Sequence, residues 1–219
     1  MVRERIPNRA RDEHLNHEPA PAIDEHKIQS RSSDPRSIRA RDAVLAATIE
    51  LLDEGGLPLA TVDAISARSG VSKVTIYRHW PNRTAVAAEA FGQKMAHFVE
   101  VPDTGDGIGD IRTHVRRVSA FYSTSNGTVF RQLMAACVID PPAAPYFRMF
   151  FLDIRRQLIA DLWNRAVALG VGDPNIDPET ADDILFGPLI YRLMSEHKPL
   201  SEEEADLISS AALSGLSAK

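Results

Sequence analysis

Cysteine is almost missing: Cys137 is the single thiol in 219 residues. One thiol can form neither an intrachain disulfide framework nor a zinc site built from several thiolates, and such scarcity suits a reducing compartment. Long apolar runs are missing too. None approaches the roughly 18 residues that a membrane span requires, although apolar types make up 44% of the chain. Residues 1–41 are mostly polar and lack the apolar core of a secretory signal. The expectation is a folded, cytoplasmic protein with no membrane partner. Strand signatures are absent, because no Val/Ile/Thr-rich run alternates with turns. Catalytic signatures are absent as well: there is no Gly-x-Ser-x-Gly, no Gly-x-x-x-x-Gly-Lys and no His-Glu-x-x-His. Gly105, Gly107 and Gly109 have no strand before them, and Asp182-Asp183 and Glu202–Glu204 read as solvated helix starts. No enzyme activity, cofactor or metal is therefore expected.

Positive charge is also scarce, with a net charge of −5. Its distribution is informative. Residues 1–35 carry 6 basic and 7 acidic side chains, residues 36–97 carry 8 and 6, and residues 98–219 carry 11 and 17. Only the middle segment is net basic, so any attraction for phosphate is local. Residues 1–35 mix charges with Pro, Asn, Ser and His without a sustained period, and read as a disordered tail. The tail holds His14, His17 and His26 among acids, with nothing to pre-order them as metal ligands.

From Ser37 the pattern is helical. Ile38, Leu45, Ile49 and Leu52 share one face, and Gly55-Gly56 ends that helix. Two short helices and a third from Asn82 to about Val99 complete a head over residues 36–98. Residues 101–109, rich in Gly, Asp and Pro, form a linker. A body over residues 99–219 carries helices near 110–124, 127–139, 143–169, 179–197 and 201–217, punctuated by Gly127, Pro141-Pro142, Gly170–Pro178 and Pro199. The fold class is all-α, with about nine helices.

Residues 61–80 carry the clearest functional signal. Thr61 can cap a helix whose first turn holds Asp63. Val62 and Ile65 lie on its inner face, and Gly70 supplies a left-handed turn after Ser69. Val71 fills the corner, Ser72 caps a second helix, and Ile76 and Trp80 face inward four residues apart. Neither helix is long enough to be stable alone. This spacing predicts a helix-turn-helix whose second helix exposes Lys73, Val74, Thr75, Tyr77, Arg78 and His79. Lys can donate to guanine, and Thr or Val can touch a thymine methyl. Tyr77 and His79 suit phosphate contacts, and Arg83 behind the Asn82 cap adds a phosphate site. The alternative is a helical protein-interaction module that does not bind DNA.

Ala64-Ile65, Gly70-Val71-Ser72-Lys73, Thr75-Ile76-Tyr77-Arg78-His79-Trp80 and Asn82-Arg83 carry a closer likeness. Arg41–Met95 resembles the N-terminal domain of tetracycline-repressor-like (TetR-family) regulators. The resemblance implies a three-helix DNA-binding head, a helical ligand-binding and dimerisation body, and a homodimer on double-stranded operator DNA. It places DNA contacts on Thr61, Lys73, Thr75, Tyr77, His79 and Arg83. Trp80 stands where a Phe is common, and Thr84 where an acid is frequent. Residues 182–193 resemble one actinobacterial-type subgroup of the family's C-terminal domains, which puts a dimer interface on the last two helices. Leu185, Leu189 and Leu193 form one apolar stripe there, and Ile208, Ala212 and Leu216 another. Pro188 is expected to kink its helix. In this family, helices such as those bearing Phe121, Tyr122, Phe130, Met134, Cys137, Phe147 and Phe151 surround an inducer pocket. Side chains of these types suit an apolar or aromatic small-molecule inducer. The expected function is a repressor released from a palindromic operator by that ligand.

Overall fold

A computed structural model of the chain describes residues 34–140 and 142–218. The tail expected over residues 1–35, with its three histidines, lies outside the described residues apart from Asp34 and Pro35. Those two residues belong to the first helix. Asp34 Oδ1 accepts a hydrogen bond from the Arg36 N–H at 3.0 Å, and Pro35 occupies the first helical position, where its missing N–H costs nothing.

The described residues form nine helices and no strand beyond one isolated bridge, Gly172 to Ser217. The head is α1 (Pro35–Gly55), α2 (Val62–Ser69), α3 (Lys73–His79) and the first half of α4 (Arg83–Phe98). The body adds α5 (Gly107–Tyr122), α6 (Ser125–Ile139), a long rod α7, α8 (Pro178–Ser195) and α9 (Glu202–Leu216). Rod α7 joins a short turn, Ala144–Phe147, to a π-helical stretch, Arg148–Asp153, and an α-helix, Ile154–Ala168. The expected segment 143–169 is thus one rod with a π stretch near its start. Such stretches are frequent at functional sites, and apolar periodicity does not signal them.

In the first helix, Leu45 and Leu52 are buried as expected and Ile49 is half-buried. Ile38 is exposed, because it lies in the first turn, ahead of the buried stretch that begins at Val44. Helix α8 continues through Pro188 without a break, and Pro188 itself is exposed.

Helix α4 joins the two parts. Every residue from Thr84 to Gly92 is buried, and four of the nine are alanines. One side packs on α1, and the other packs on α6 and α7. Two polar contacts reinforce the junction: Gln132 Oε1 accepts from the Leu57 N–H at 2.7 Å, and Asn82 Nδ2 donates to Asp140 Oδ2 at 2.7 Å. At Gly92 the approach is so close that a Cβ would stand 2.1 Å from the Phe150 carbonyl oxygen.

The two stripes assigned to a dimer interface turn inward instead. Leu185, Leu189, Leu193, Ile208 and Leu216 are all buried within the chain's own body, and Ala212 is half-buried. The physical reason is that α8 packs on α7 and α5, and α9 packs on α5, so the most apolar faces of both helices are already used. Ile184, Tyr191 and Met194 of α8 and Leu207 of α9 lie on the outer faces and are exposed.

Replacing Gly92 with Ala places a methyl group inside a backbone oxygen that has no rotamer to escape through. Gly92→Ala is expected to destabilise the fold by about 1–3 kcal/mol, read as a lower urea midpoint with an unchanged slope.

Candidate nucleic-acid interface

Local chemistry builds α2 and α3 much as their caps suggest. The Thr61 side chain accepts from the Ala64 N–H at 3.1 Å. Gly70 adopts the left-handed conformation at φ 70°, ψ 6°, which an L side chain takes only with strain. The Ser66 hydroxyl donates to the Val71 carbonyl at 2.7 Å and locks the turn. Ser72 Oγ accepts from the Thr75 N–H at 3.3 Å, and Asn82 Oδ1 accepts from the Ala85 N–H at 2.9 Å. Two bonds from Arg68 to Glu54, at 2.5 and 3.0 Å, tie α2 to α1.

Ile65, Ile76 and Trp80 are fully buried and hold α3 to the head. Trp80 also carries a polar lock. Its indole N–H donates to Glu89 Oε2 at 2.7 Å, and Arg41 pairs with the same carboxylate. Glu89 is 1% exposed. Burial raises its pKa above the usual carboxylate value, while Arg41 and the indole N–H pull it down. Sequence reading cast Trp80 as an apolar packing residue. Its hydrogen bond crosses from the end of α3 to α4, and no periodicity announces that pairing.

What remains of α3 faces outward. Val74 is 72% and Tyr77 54% exposed, and Lys73 and Arg78 are exposed beside them. Thr75 is half-buried, with its hydroxyl 3.0 Å from that of Ser72. His79 is half-buried, its ring 5.5 Å from that of Trp80. Lys73 pairs with Asp63 of α2, a partner that spacing alone does not suggest. Thr61 is exposed at the start of α2, and Arg83 donates to the Leu57 carbonyl at 3.3 Å. Six of the eight expected DNA-contact residues thus lie on α3, with Thr61 at the N-cap of α2 and Arg83 at the start of α4.

The expected inducer residues form a packed aromatic cluster. Phe130 lies 4.9 Å from Tyr122 and 5.2 Å from Phe151 between ring centres, and Phe147 stacks on Phe151 at 5.0 Å. All but Met134, which is half-buried, are buried. Tyr122 lines a groove of about 490 Å³ between the start of α6 and the α8–α9 turn. Arg131, Arg192 and Lys198 also line it, and Glu196 and Glu204 pair with these cations. Phe151 lines a second, much narrower slot between α4, α5 and α7. Burial pushes the Cys137 thiol up to about 11, which opposes a reactive thiolate. Among the described residues no helix is long and apolar enough to cross a membrane.

Two family descriptions match the two parts of this architecture. Residues 44–90 match "Bacterial regulatory proteins, tetR family", and residues 101–212 match "Tetracyclin repressor-like, C-terminal domain". The HTH-type transcriptional regulator YdeS of Bacillus subtilis is 35% identical over 76% of this chain and 84% of its own. The DNA-binding transcriptional repressor TetR of Mycobacteroides abscessus is 26% identical over 69% of this chain and 80% of its own. The TetR family transcription regulator SCO0332 superposes with a TM-score of 0.75 at 29% identity, covering 81% of this chain and 98% of that one. FadR of Bacillus subtilis, solved in complex with stearoyl-CoA, shares the fold at 16% identity and a TM-score of 0.60, over 80% of this chain and 98% of that one. The chain belongs to the TetR family and is a DNA-binding transcriptional regulator.

The Trp80 lock can be tested by removing one hydrogen bond. Trp80→Phe keeps an aromatic ring in place but leaves the buried carboxylate to Arg41 alone. A loss of about 1–3 kcal/mol is expected in thermal unfolding at neutral pH. A native pKa raised above the unfolded value means that the folded state holds the Glu89 proton more tightly. Its stabilisation is full below the unfolded pKa and is lost as pH rises through the folded one. Losing the indole N–H raises the folded pKa further, so Trp80→Phe should cost less in acid than at neutral pH.

Proposed function

We propose that the protein is a homodimeric repressor that sets α3 of each protomer into the major groove of a near-palindromic operator. The observation that carries this reading is the pairing of a fully buried inner face on α3 with an outer face of exposed polar, cationic and aromatic side chains. Lys73, Val74 and Thr75, at the helix N-terminus, are assigned to base edges. Thr61, Tyr77, Arg78, His79 and Arg83 are assigned to phosphates, which fix register without reading sequence. Lys73 is held by Asp63 in the free protein, so binding exchanges a carboxylate for a DNA acceptor. Two such helices, about 34–36 Å apart, would meet one face of the duplex one turn apart.

The dimer is assigned to the outer faces of α8 and α9. Ile184, Tyr191, Met194 and Leu207 supply apolar area, and the exposed Gly187, Ala211 and Gly215 permit close approach. Two such helices from each protomer make a four-helix bundle with self-complementary surfaces. A ligand in the body releases the operator by favouring a conformation with a different head spacing, through its differential affinity for the two states. The FadR neighbour, which binds stearoyl-CoA, supports ligand binding by bodies of this fold. Helix α4, packed on both parts, is the route from body to head.

Two experiments test these assignments. Titrations of duplexes carrying single base changes in an operator enriched from genomic DNA should show that Lys73→Ala flattens base preference by about 1–3 kcal/mol at one position per half-site. Tyr77→Phe should weaken every duplex about equally; a changed preference with Tyr77→Phe, or a uniform loss with Lys73→Ala, would exchange the two roles. Sedimentation should show wild type as a dimer and Tyr191→Glu/Leu207→Glu as a folded monomer with reduced operator affinity. A variant that stays dimeric would rule out this interface.

A further inference from the structure

The narrow slot encloses only about 20 Å³, but its chemistry is unusual for a core. Its walls include Met95 of α4 and Val99 at its C-cap, His114 of α5, and Phe151, Arg155 and Leu158 of α7. Two of these residues, His114 and Arg155, carry polar functions. His114 is 3% exposed, and its Nδ1 is buried without a hydrogen-bond partner. The nearby Glu100 carbonyl favours protonation of the ring; with the hydrogen on Nε2, Nδ1 is a bare acceptor. With burial and the field of Arg155 driving the imidazole pKa down to about 3, the ring is neutral in the empty slot.

Arg155, half-buried, is the second polar group of the slot. Its guanidinium lies over the Phe186 ring at 4.9 Å and the Phe151 ring at 5.8 Å. Its hydrogen-bond partner is Met95 Sδ, 3.7 Å away, and a thioether is a weak acceptor. Asp182 feels the field of Arg155 but makes no ion pair with it, and its own buried Oδ1 has no hydrogen-bond partner. The slot therefore offers a half-buried guanidinium whose hydrogen-bond partner is a thioether and, on a facing helix, a buried imidazole nitrogen without a partner, between aromatic and aliphatic walls. A purely apolar ligand would leave the imidazole nitrogen unsatisfied. A dianion would meet one guanidinium, apolar walls and the nearby Asp182.

We infer that the slot is the receptor for a small amphipathic acid, an apolar or aromatic body bearing one acidic O–H group, with its oxygen on the Arg155 guanidinium and its proton on His114 Nδ1. This rests on the reading of the body as a ligand-responsive unit and names the class of ligand. A phenol transfers or shares its own proton with Nδ1, and its oxygen pairs with Arg155. A carboxylate, already ionised in solution, binds together with one proton taken from solvent, which forms the imidazolium. The slot's free volume is too small for such a body, so the ligand enters by parting α4 from the π-helical stretch of α7. Gly92, which approaches the Phe150 carbonyl too closely to carry a Cβ, is part of the slot's lining.

The test is calorimetry on the full-length protein with 2-naphthoic acid, 2-naphthol and methyl 2-naphthoate, the last keeping the body without the O–H. Repeating each titration in buffers of different ionisation enthalpy counts protons. The acid and the naphthol should saturate one site per chain, and the ester should bind at least about tenfold more weakly. The acid should take up one proton per site and the naphthol none. Arg155→Met should weaken both acidic probes to the level of the ester while leaving the circular dichroism unchanged, and Arg155→Lys should restore part of the loss. An ester that binds as tightly as the acid, no saturable binding of either acidic probe, or binding indifferent to Arg155→Met would overturn the assignment. An operator titration run alongside separates the two readings. Acid binding that depends on Arg155 but leaves the operator bound would keep the slot and refute the regulatory reading. Release of the operator that survives Arg155→Met would keep the regulatory reading and refute the slot.

Discussion

Helix α4 is buried from Thr84 to Gly92 because two bodies of protein pack on it from opposite sides, and the rest of the architecture depends on that double burial. A helix in this position has no face for polar side chains, which explains the run of alanines and the glycine that meets the Phe150 carbonyl. The one charged residue in the stretch, Glu89, is tolerated because Trp80 and Arg41 satisfy it. That lock joins α1, the end of α3 and α4 at a single carboxylate. The reading helix and the helix leading into the body therefore cannot move independently without exposing or orphaning a buried charge. On the proposed reading, whatever parts α4 from α7 also acts on the support of α3.

The parts of the fold written in local chemistry were legible in the sequence. Caps at Thr61, Ser72 and Asn82, the left-handed turn at Gly70 and the inward spacing of Ile76 and Trp80 all rest on neighbours within a few residues. The structure reproduces them closely. The helices of the body were legible for the same reason, their ends being marked by glycine and proline. Orientation across the body was less so. Leu185, Leu189 and Leu193 form a stripe on α8, but a stripe says only that something covers it. The cover proved to be α7 and α5 of the same chain, and the face left outward carries Tyr191, Pro188 and Gly187, which a search for leucine repeats passes over. The aromatic residues expected to surround a ligand likewise fill one another's space. His114 and Arg155 escaped notice because they come from helices some forty residues apart in sequence, and each alone reads as an ordinary polar residue.

An acidic protein that binds DNA is less of a contradiction than its net charge suggests. The excess of acid lies in the body, and the head is net basic. The proposed reading surface is small, and part of its charge is held in check by the pairing of Lys73 with Asp63. Such an arrangement lowers general affinity for polyanions, and on the proposed reading a correct operator supplies enough contacts to displace Asp63 from Lys73.

The most direct test of this account is the distance between the two heads, measured by pulsed electron paramagnetic resonance on dimers labelled at Ala67→Cys, exposed on α2 beside the recognition helix, in a Cys137→Ser background. With operator DNA, the account predicts a narrow distribution consistent with helices about 34–36 Å apart. With saturating 2-naphthoic acid in place of DNA, it predicts a distribution displaced from that spacing. A spacing that stays the same when the slot is filled, or labels that show no intersubunit distance on operator DNA, would contradict it.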